Sequence, residues 1–245
     1  LTWSQVPVGK HSLKAVYSGS GNYETAASPE VSYDIDRDDQ AELTINEVPA
    51  KTFGDGPFEL SIKGGSGDGE YTYVITGESI VYDRTTGKFT IVKAGESTIT
   101  VTKAADDNYN AATATITVNV AKAQPVAVVF PTAGAITYGE ALSASTLNGG
   151  EGDGSFAWKD GTVIPTVNNN GYEVVFTPAD SQNYDYSNIT LTQTVAVTVN
   201  KATPTVTTAP TASRVRRNSK LSTSTLSGAV VVGLDGTTAL KGTWT

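Results

Sequence analysis

The stretch DDNYNAATATITVNVAKAQP, residues 106–125, alternates apolar and polar side chains through its centre. In an extended chain, successive side chains point to opposite faces. One face of this segment would therefore carry Ala114, Ile116, Val118 and Val120, and the other would carry mainly threonines. A period of two is typical of a strand with one buried face. The stretch predicts a half-buried β-strand that ends before the lysine and proline of a short linker.

The same alternation recurs at four other places, residues 31–35, 99–101, 172–176 and 195–199. Clusters of Gly, Asn, Asp and Pro separate these ribbons, and such residues supply positive φ angles or preset turns. No helical periodicity is sustained over three turns. The frequent Thr and Val residues fit a pleated surface. The chain is therefore predicted to be all-β, with short strands and many turns.

Internal repeats are visible when the chain is aligned with itself. A shift that places Phe53 on Tyr138 also places GGSGDGEYTY, residues 64–73, on GGEGDGSFAW, residues 149–158. A second shift places LSASTLNG, residues 142–149, on LSTSTLSG, residues 221–228. An Asn-Tyr step occurs three times, ending at Tyr23, Tyr109 and Tyr184. Repetition at this period is the signature of a chain built from similar modules.

The repeats divide the chain into four segments. We expect two complete modules, residues 37–122 and 123–202, preceded by the end of a module (residues 1–36) and followed by the beginning of another (residues 203–245). Modules of about 80 residues with short antiparallel strands suit a two-sheet sandwich, and propeller blades are shorter. The linkers AKAQP and NKATP are short and contain proline, which limits their freedom.

Three segments resemble a known family. PVGKHSLKAVYSGSGNYETAAS, residues 7–28, resembles the end of a bacterial immunoglobulin-like domain. KTFGDGPFEL and AITYGEAL resemble the aromatic-Gly-acidic signature of the related YDG or MBG modules. The resemblance covers nearly the whole chain and implies tandem immunoglobulin-like β-sandwiches in an elongated array. In the last segment ASRVRRNSKL replaces the signature, which predicts a divergent module.

The resemblance also implies a function. Such modules form the stalks of large adhesins, or spacers in secreted cell-wall and polysaccharide-acting proteins. We therefore expect a non-catalytic, structural region of an extracellular bacterial surface protein, whose partners are the neighbouring modules. The alternatives are a module that binds a carbohydrate or a host glycoprotein, and an accessory region of a secreted polysaccharide-acting enzyme.

Composition excludes several other classes. The 245 residues include 17 basic and 25 acidic side chains, for a net charge of −8, which disfavours nucleic acid and anionic membranes as partners. Cysteine is absent, so disulfides, thiolate metal sites and cysteine nucleophiles are excluded. No window reaches the roughly 18 apolar residues of a membrane span, so membrane insertion is not expected.

The two ends of the chain suggest an excised piece. The opening LTWSQVPVGKHS lacks the layout of a secretory signal, and methionine is absent even at position 1. The leading segment would supply late strands and the trailing segment early strands. Their open edges could then pair between molecules, as in a domain swap.

Candidate chemical groups all have a plainer structural interpretation. The single histidine, His11, would be a hydrogen-bonded residue at the core edge, because no nucleophile is marked beside it. The loops around Asp68 and Asp153 match no phosphate-binding motif and are predicted to be turns. No catalytic, cofactor-binding or metal-binding residue is therefore assigned, and no cofactor is expected.

The acidic segment DIDRDDQ raises the question of calcium, because carboxylates at a module junction can supply oxygen ligands. Its carboxylates are Asp34, Asp36, Asp38 and Asp39, and a weaker candidate pair is Asp106 and Asp107. Equivalent junctions carry no carboxylates. Aspartates that alternate on the solvated face of an edge strand are the plainer interpretation.

The remaining candidates are basic, aromatic and modification sites. The basic cluster is predicted to be the outer face of a strand, and it comprises Arg214, Arg216, Arg217 and Lys220. The aromatic set could stack on sugars or pack in the core, and core packing is favoured; it comprises Tyr71, Tyr73, Trp158 and Tyr186. Asn188 begins a glycosylation sequon, and Lys63 lies near an apolar strand, but no isopeptide crosslink is assigned.

Overall fold

The computed structural model describes residues 6–243. The segment LTWSQ at the start of the chain therefore lies outside the described residues. The chain divides into two compact units. The first unit comprises Leu1–Gln124 with Ser181–Asp185, and the second comprises Pro125–Asp180 with Tyr186–Thr245. The four module boundaries expected from the sequence remain a prediction.

The all-β prediction is confirmed: the described residues form strands and two 3₁₀ turns, Leu142–Ala144 and Leu221–Thr223. The strands form one four-stranded sheet, one three-stranded sheet and several two-stranded pairs. None of the helical turns among the described residues is long enough or apolar enough to cross a membrane.

The described part of the first unit, from residue 6 onward, contains twelve strands. They are β1 Gly9–Leu13, β2 Val16–Tyr17, β3 Ala26–Ala27, β4 Val31–Ile35, β5 Thr44–Ile45, β6 Lys51–Thr52, β7 Ile62–Lys63, β8 Tyr71–Gly77, β9 Ile80–Asp83, β10 Lys88–Ile91, β11 Gly95–Lys103 and β12 Ala112–Ala121. The largest sheet has the order β6-β12-β11-β8. The smaller antiparallel pairs are β1 with β4, β2 with β3, β5 with β7 and β9 with β10.

The core of the first unit is built by the alternation that the sequence shows. On β11, Ile99 and Val101 are fully buried, and on β12 the buried residues are Val118 and Val120. Phe89 lies at the centre of an aromatic cluster with Phe58, Tyr73 and Tyr82. Burial of such side chains stabilises a fold by about 1.5–3 kcal/mol each. The strand predicted within residues 106–125 is thus one wall of this core.

The second unit contains eleven strands. They are β13 Thr132–Ala133, β14 Ile136–Thr137, β15 Leu147–Asn148, β16 Gly154–Trp158, β17 Tyr172–Pro178, β18 Thr192–Val195, β19 Val199–Asn200, β20 Thr205–Thr208, β21 Thr211–Ala212, β22 Leu226–Ser227 and β23 Val230–Val232. The sheets have the orders β16-β17-β18, β13-β15, β14-β19, β20-β23 and β21-β22. Val174 and Phe176 on β17 are fully buried, as the sequence predicts.

Two strand pairs are parallel, although the sequence predicts antiparallel strands. β6 pairs with β12, and β14 pairs with β19. Each pair joins an early strand of an expected module to its last strand. Because no tight hairpin connects these strands, the chain can return in the same direction. In each of the two expected modules, an early strand is thus hydrogen-bonded to the last strand.

Candidate functional site

The aromatic-Gly-acidic signature forms a closed turn in the first unit. The Asp55 carboxylate accepts the backbone N–H of Thr52 at 2.9 Å, and the Asp55 N–H donates to the Thr52 carbonyl at 3.0 Å. Gly54 lies at the apex with a φ of 95°, a conformation that glycine adopts without a steric penalty. Phe53 then donates its N–H to the Ala121 carbonyl at 2.9 Å, which extends the β6–β12 pairing.

The second unit repeats this turn in detail. Glu140 accepts the N–H of Thr137 at 2.6 Å, and Gly139 has a φ of 103°. Tyr138 donates its N–H to the Asn200 carbonyl at 2.9 Å, next to the β14–β19 pair. The acidic residue of the signature is therefore engaged with the backbone in both units. The signature closes a turn that ties an early strand to the last strand.

The Asn-Tyr step makes a second recurring tie. Asp38 and Tyr109 form an isolated parallel bridge, in which the Asp38 N–H donates to the Asn108 carbonyl at 2.9 Å. Ala123 and Tyr184 form the same bridge, in which the Ala123 N–H donates to the Asn183 carbonyl at 2.9 Å. Asp38 and Ala123, which the two Asn-Tyr steps contact, lie at the expected starts of the two modules.

Asn108 shapes its turn without a left-handed backbone conformation. Among the described residues, the only non-glycine residue with positive φ is Asn218. The Asn108 N–H instead donates to the Asp106 carboxylate at 2.9 Å, which stabilises the bend without a positive φ.

The segment Ser181–Asp185, which contains the third Asn-Tyr step, belongs to the first unit. The Asn183 side-chain Oδ1 accepts the N–H of Ala94 at 2.8 Å. Lys122 donates from Nζ to the Ser181 carbonyl at 2.7 Å. The Tyr184 ring meets the Phe53 ring edge to face, with 5.6 Å between the ring centroids. The two repeated signatures of the sequence, aromatic-Gly-acidic and Asn-Tyr, thus contact each other within the first unit.

Asp106 organises the glycine-rich loop of the first unit. Its carboxylate accepts the backbone N–H of Asn108, of Tyr109 and of Asp68, at 2.9, 2.9 and 2.8 Å. These hydrogen bonds, led by the bond from Asn108, hold the pKa of Asp106 below its ordinary value. Both carboxylate oxygens of Asp106, which the sequence offers as a weaker calcium candidate, are engaged with backbone N–H groups.

Lys103 is a buried cation that the sequence analysis did not single out. Its side chain is 8% exposed, and its Nζ donates to the Gly69 carbonyl at 2.9 Å. The ammonium group also lies 4.8 Å from the centre of the Tyr71 ring, a cation–π contact. Along β11, every second residue is buried, and Lys103 follows Ile99 and Val101 in this series. The alternation could therefore have predicted that Lys103 is buried.

Gln40 contacts the same loops as Lys103 and Asp106. Its side-chain Nε2 donates to the carbonyls of Ala104 and Asn110 at 3.0 and 2.8 Å, and its Oε1 accepts the N–H of Ser66 at 3.2 Å. Together, Gln40, Lys103 and Asp106 satisfy backbone groups of two loops, residues 64–70 and 104–111. Buried polar groups require such partners. The cluster has a structural role.

His11 is hydrogen-bonded, as the sequence predicts. Its Nε2 lies 2.6 Å from the Pro7 carbonyl oxygen. The ring stacks on Tyr33, its cross-strand neighbour, with 5.4 Å between the centroids. The residue is half-buried, so a position at a core edge fits the structure.

The aspartates of DIDRDDQ are exposed, and only Asp34 lies on a strand, β4. The prediction of alternating aspartates along one strand face is therefore wrong for the other three, because β4 ends at Ile35. Asp38 accepts the N–H of Asp39, and Asp39 accepts an N–H of the Asn110 side chain at 3.0 Å. Within residues 6–243, no three acidic or histidine side chains are grouped to hold a metal ion.

The aromatic set does not form an exposed platform. Tyr73 packs against Tyr82 and Phe89, and burial raises the pKa of Tyr73. Trp158 is half-buried and donates from its indole nitrogen to the Ser145 carbonyl at 3.0 Å, and Tyr186 is 8% exposed. Only Tyr71, at 39%, is an exposed member of the set. Core packing, the favoured interpretation, is what the structure shows.

The basic cluster occupies a loop, so its assignment to a strand is wrong. β21 ends at Ala212, and a turn closed by the Ser219 N–H and the Arg216 carbonyl follows. Asn218 in this turn has a φ of 66°. A residue in the left-handed region interrupts extended backbone, which accounts for the loop.

The remaining candidates are the two glycine-rich loops, Lys63 and Asn188. In both GDG loops the first glycine has a positive φ, 67° for Gly67 and 141° for Gly152, whereas Gly154 already lies on strand β16. Lys63 and Asn188 are exposed.

A cavity of about 560 Å³ lies in the second unit. Tyr138, Ile164, Leu234 and Leu240 contribute its apolar lining. Asp235 also lines it, and hydrogen bonds from Thr238 and Thr237 lower the pKa of Asp235 to about 2. Its lining residues include no histidine, cysteine or lysine.

Comparisons with known proteins give a distant likeness among solved structures. No protein-family model matches the chain, and no curated protein does either. The chain is similar to the solved structure of the protocadherin gammaB7 EC3-6 cis-dimer, with 15% sequence identity and a TM-score of 0.31. The match covers 82% of this chain and 61% of the other, so the chain spans less than two thirds of that protein's length. The fold assignment therefore rests on the strand pairing.

Proposed function

We propose that the chain is a non-catalytic structural region of an extracellular bacterial surface protein of the adhesin-like type. In this role, tandem immunoglobulin-like modules at residues 37–122 and 123–202 act as spacers that extend or present other parts of the protein. The single observation that carries the proposal is the pair of parallel bridges, Asp38 with Tyr109 and Ala123 with Tyr184.

The bridges support this role because they recur at equivalent places. In each expected module, the Asn-Tyr step holds a residue at the start of the module, and the acidic turn holds an early strand against the last strand. The side chains that repeat between modules are thus engaged with backbone groups or with each other. Repeated residues that hold the start and end of a module together are typical of a structural building block.

Small-angle X-ray scattering tests the proposal. A single compact globule of this length has a radius of gyration of about 18 Å. We expect a clearly larger value and a pair-distance distribution with a long tail, as spacers in line would give. A radius of gyration near the globular value, with a symmetric distribution, would overturn the spacer function.

The alternative of a glycan-binding module requires a surface that stacks on sugar rings. Trp158 is its best candidate, and Trp158 is half-buried with its indole N–H engaged. We therefore expect no glycan-array signal that Trp158→Ala abolishes while the fold is retained. A catalytic domain encoded next to this region in the parent gene would instead support an accessory role in a polysaccharide-acting enzyme.

A further inference from the structure

The pair β1–β4 repeats the register of the pair β11–β12. Gly9 lies opposite Ile35, and Gly95 lies opposite Val120. The two glycines share a positive φ, 124° and 137°. β4 therefore corresponds to β12, the last strand of the first expected module. β12 also pairs with β6 along its second edge, whereas β1 and β4 form a sheet of only two strands in the described part of the chain.

The apolar face of this pair lies in solvent. On β11, Ile99 is fully buried. Leu13, at the place of Ile99 on β1, is 42% exposed, and Val31 opposite it is also exposed. We call residues 9–13 and 31–36 the leading pair. Its apolar face is the one that β11 and β12 bury in the core of their module.

Residues 203–243, which we call the trailing segment, repeat the beginning of the second expected module. β21 pairs with β22 in the register of β13 with β15, and a 3₁₀ turn lies between the strands of each pair. The Ser219 N–H donates to the Arg216 carbonyl at 3.0 Å. The Glu140 N–H makes the same bond to the Thr137 carbonyl, also at 3.0 Å. The trailing segment therefore keeps the turn of the acidic signature, although its residues differ.

Apolar positions that are buried in the second expected module are open in the trailing segment. In that module β14 pairs with β19, and Ile136 and Leu142 pack with Val199 in one buried cluster. The corresponding residues, Val215 and Leu221, are exposed, Leu221 at 80%. The strand that covers these positions in a module is the one that pairs in parallel with the strand before the signature turn. That strand is β12 in the first module and β19 in the second, and β4 corresponds to β12.

The charges of the leading pair and of the trailing segment are complementary in the same register. When β4 is placed beside the trailing segment as β19 lies beside β14, Ile35 is opposite Val215 on the core face. On the solvent face, two aspartates then meet two arginines, Asp34 with Arg214 and Asp36 with Arg216. All four charged side chains are exposed. Opposite charges directly across a strand pair stabilise the pairing.

This charge pattern is specific to these two surfaces. In the two parallel pairs of the structure, the residues at the places of Asp36 and Arg216 are uncharged. They are Ala121 with Thr52 and Asn200 with Thr137. The acidic segment and the basic cluster, for which the spacer function has no use, therefore match each other in charge and in register.

We propose that the leading pair of one copy of the chain packs on the trailing segment of a second copy. β4 takes the place beside residues 214–217 that β19 has beside β14. The exposed Leu13 and Leu221 then enter one core, as Ile99 and Leu142 do in their own modules. Because the two contacting surfaces differ, the association is head-to-tail, and it produces open chains or closed rings of copies.

Light scattering coupled to size-exclusion chromatography tests the association over a series of chain concentrations. We expect the mass of the wild-type chain to rise with concentration, in multiples of the monomer. Leu13→Arg and Leu221→Arg each place a charge on one of the two surfaces, so each variant alone should stay monomeric. A mixture of the two variants retains one intact leading pair and one intact trailing segment. It should therefore form dimers that contain one copy of each variant, and nothing larger.

Two neighbouring residues provide matched controls. Ser12 on β1 and Ser222 in the second 3₁₀ turn are exposed. The residue at the place of Ser222 in the second module, Ser143, is exposed as well. Ser12→Arg and Ser222→Arg should therefore associate like the wild-type chain. Circular dichroism establishes that all four arginine variants fold.

A charge exchange tests the register. Asp36→Arg and Arg216→Asp should each lower the association constant by roughly fivefold or more, because each places like charges opposite one another. The chain that carries both substitutions restores an opposite pair, with its sign reversed, and should recover the association of the wild-type chain.

A wild-type chain that stays monomeric at every concentration would overturn the proposal. Failure of the mixed variants to form dimers would also overturn it, because only a head-to-tail contact is restored by mixing. No recovery in the doubly substituted chain would refute the parallel register. The spacer function is tested separately, since its scattering measurement can be made on Leu13→Arg, which is expected to be monomeric.

Discussion

The Asp106 carboxylate accepts the backbone N–H of Asp68 at 2.8 Å, across a separation of 38 positions in the sequence. The same carboxylate accepts the N–H groups of Asn108 and Tyr109. One side chain thus fixes the glycine-rich loop and the Asn-Tyr step against each other. Gly67 is in close contact with this carboxylate, which leaves no space there for a larger side chain.

Replacement of Asp106 should therefore destabilise the first unit. Asp106→Asn retains the size of the side chain but loses the charge that strengthens hydrogen bonds from backbone N–H groups. We expect a lower midpoint of thermal unfolding, measured by circular dichroism. Asp107→Asn, at the exposed neighbouring residue, is the control. Equal midpoints for the two variants would contradict the role assigned to Asp106.

The stability difference between wild type and Asp106→Asn should depend on pH. The pKa of Asp106 is lower in the folded chain than its ordinary value of 3.8. A depressed pKa contributes stability above the unfolded-state pKa, and this contribution is lost as the pH falls through the folded-state pKa. Urea unfolding at a series of pH values should show a full difference at neutral pH and a vanishing one in strong acid. A constant difference would exclude this electrostatic contribution.

Gly54 should not tolerate a side chain. Its φ of 95° lies outside the regions that L-residues favour, and no neighbouring atom obstructs a Cβ at this position. Gly54→Ala should therefore cost about 1–2 kcal/mol of unfolding free energy from backbone strain alone. Gly56→Ala, at an equally open position without positive φ, should leave stability nearly unchanged. Denaturant unfolding compares the two, and a larger loss at Gly56 would refute the assignment of strain.

Lys103 should be needed for stability although it is a charged residue. Lys103→Ala removes the hydrogen bond to the Gly69 carbonyl, a bond of the charged type worth about 1.5–3 kcal/mol, and it also empties buried space. The exposed Lys63 provides a matched variant, and Lys63→Ala should change the free energy of unfolding by less than about 0.5 kcal/mol. Urea denaturation measures both. Similarly small losses of unfolding free energy in both variants would show that the Lys103 ammonium group is effectively solvated.

Asn183 should protect one particular amide from exchange. Its Oδ1 accepts the Ala94 N–H, so Asn183→Ala should raise the exchange rate of that amide by roughly two- to tenfold, as expected for one hydrogen bond. Amide-resolved hydrogen exchange by NMR measures the rate, and Asn188→Ala in the same loop region is the control. Unchanged protection of Ala94 in Asn183→Ala would mean that the hydrogen bond is not maintained in solution.

Local patterns of the sequence predict much of this fold. Alternation placed Val118 and Val120 in the core, and the repeat position shared by Tyr73 and Trp158 correctly favoured packing over sugar binding. These predictions succeed because burial on one strand face leaves a period of two. The same alternation, extended by one step along β11, predicts that Lys103 is also buried.

The predictions that failed concern single turns and distant pairs. Nothing local indicates that the chain bends after Ala212, so the arginines that follow resembled a strand face. Asp106 offered the residue type of a calcium ligand, but its actual partners depend on which loops the sheet brings together. The sequence repeats mark the acidic turn as a recurring feature. Only the structure shows that the Asp55 carboxylate accepts the backbone N–H of Thr52.

The parallel pairing of β6 with β12, and of β14 with β19, has a mechanical consequence. In each module the chain enters before the first of these strands and leaves after the second. Tension along the chain therefore slides the two strands past each other, with the load across their hydrogen bonds. Bonds loaded in this way must rupture together, whereas an unzipping hairpin loses its bonds one at a time. The bond from the Phe53 N–H to the Ala121 carbonyl lengthens this load-bearing patch in the first unit.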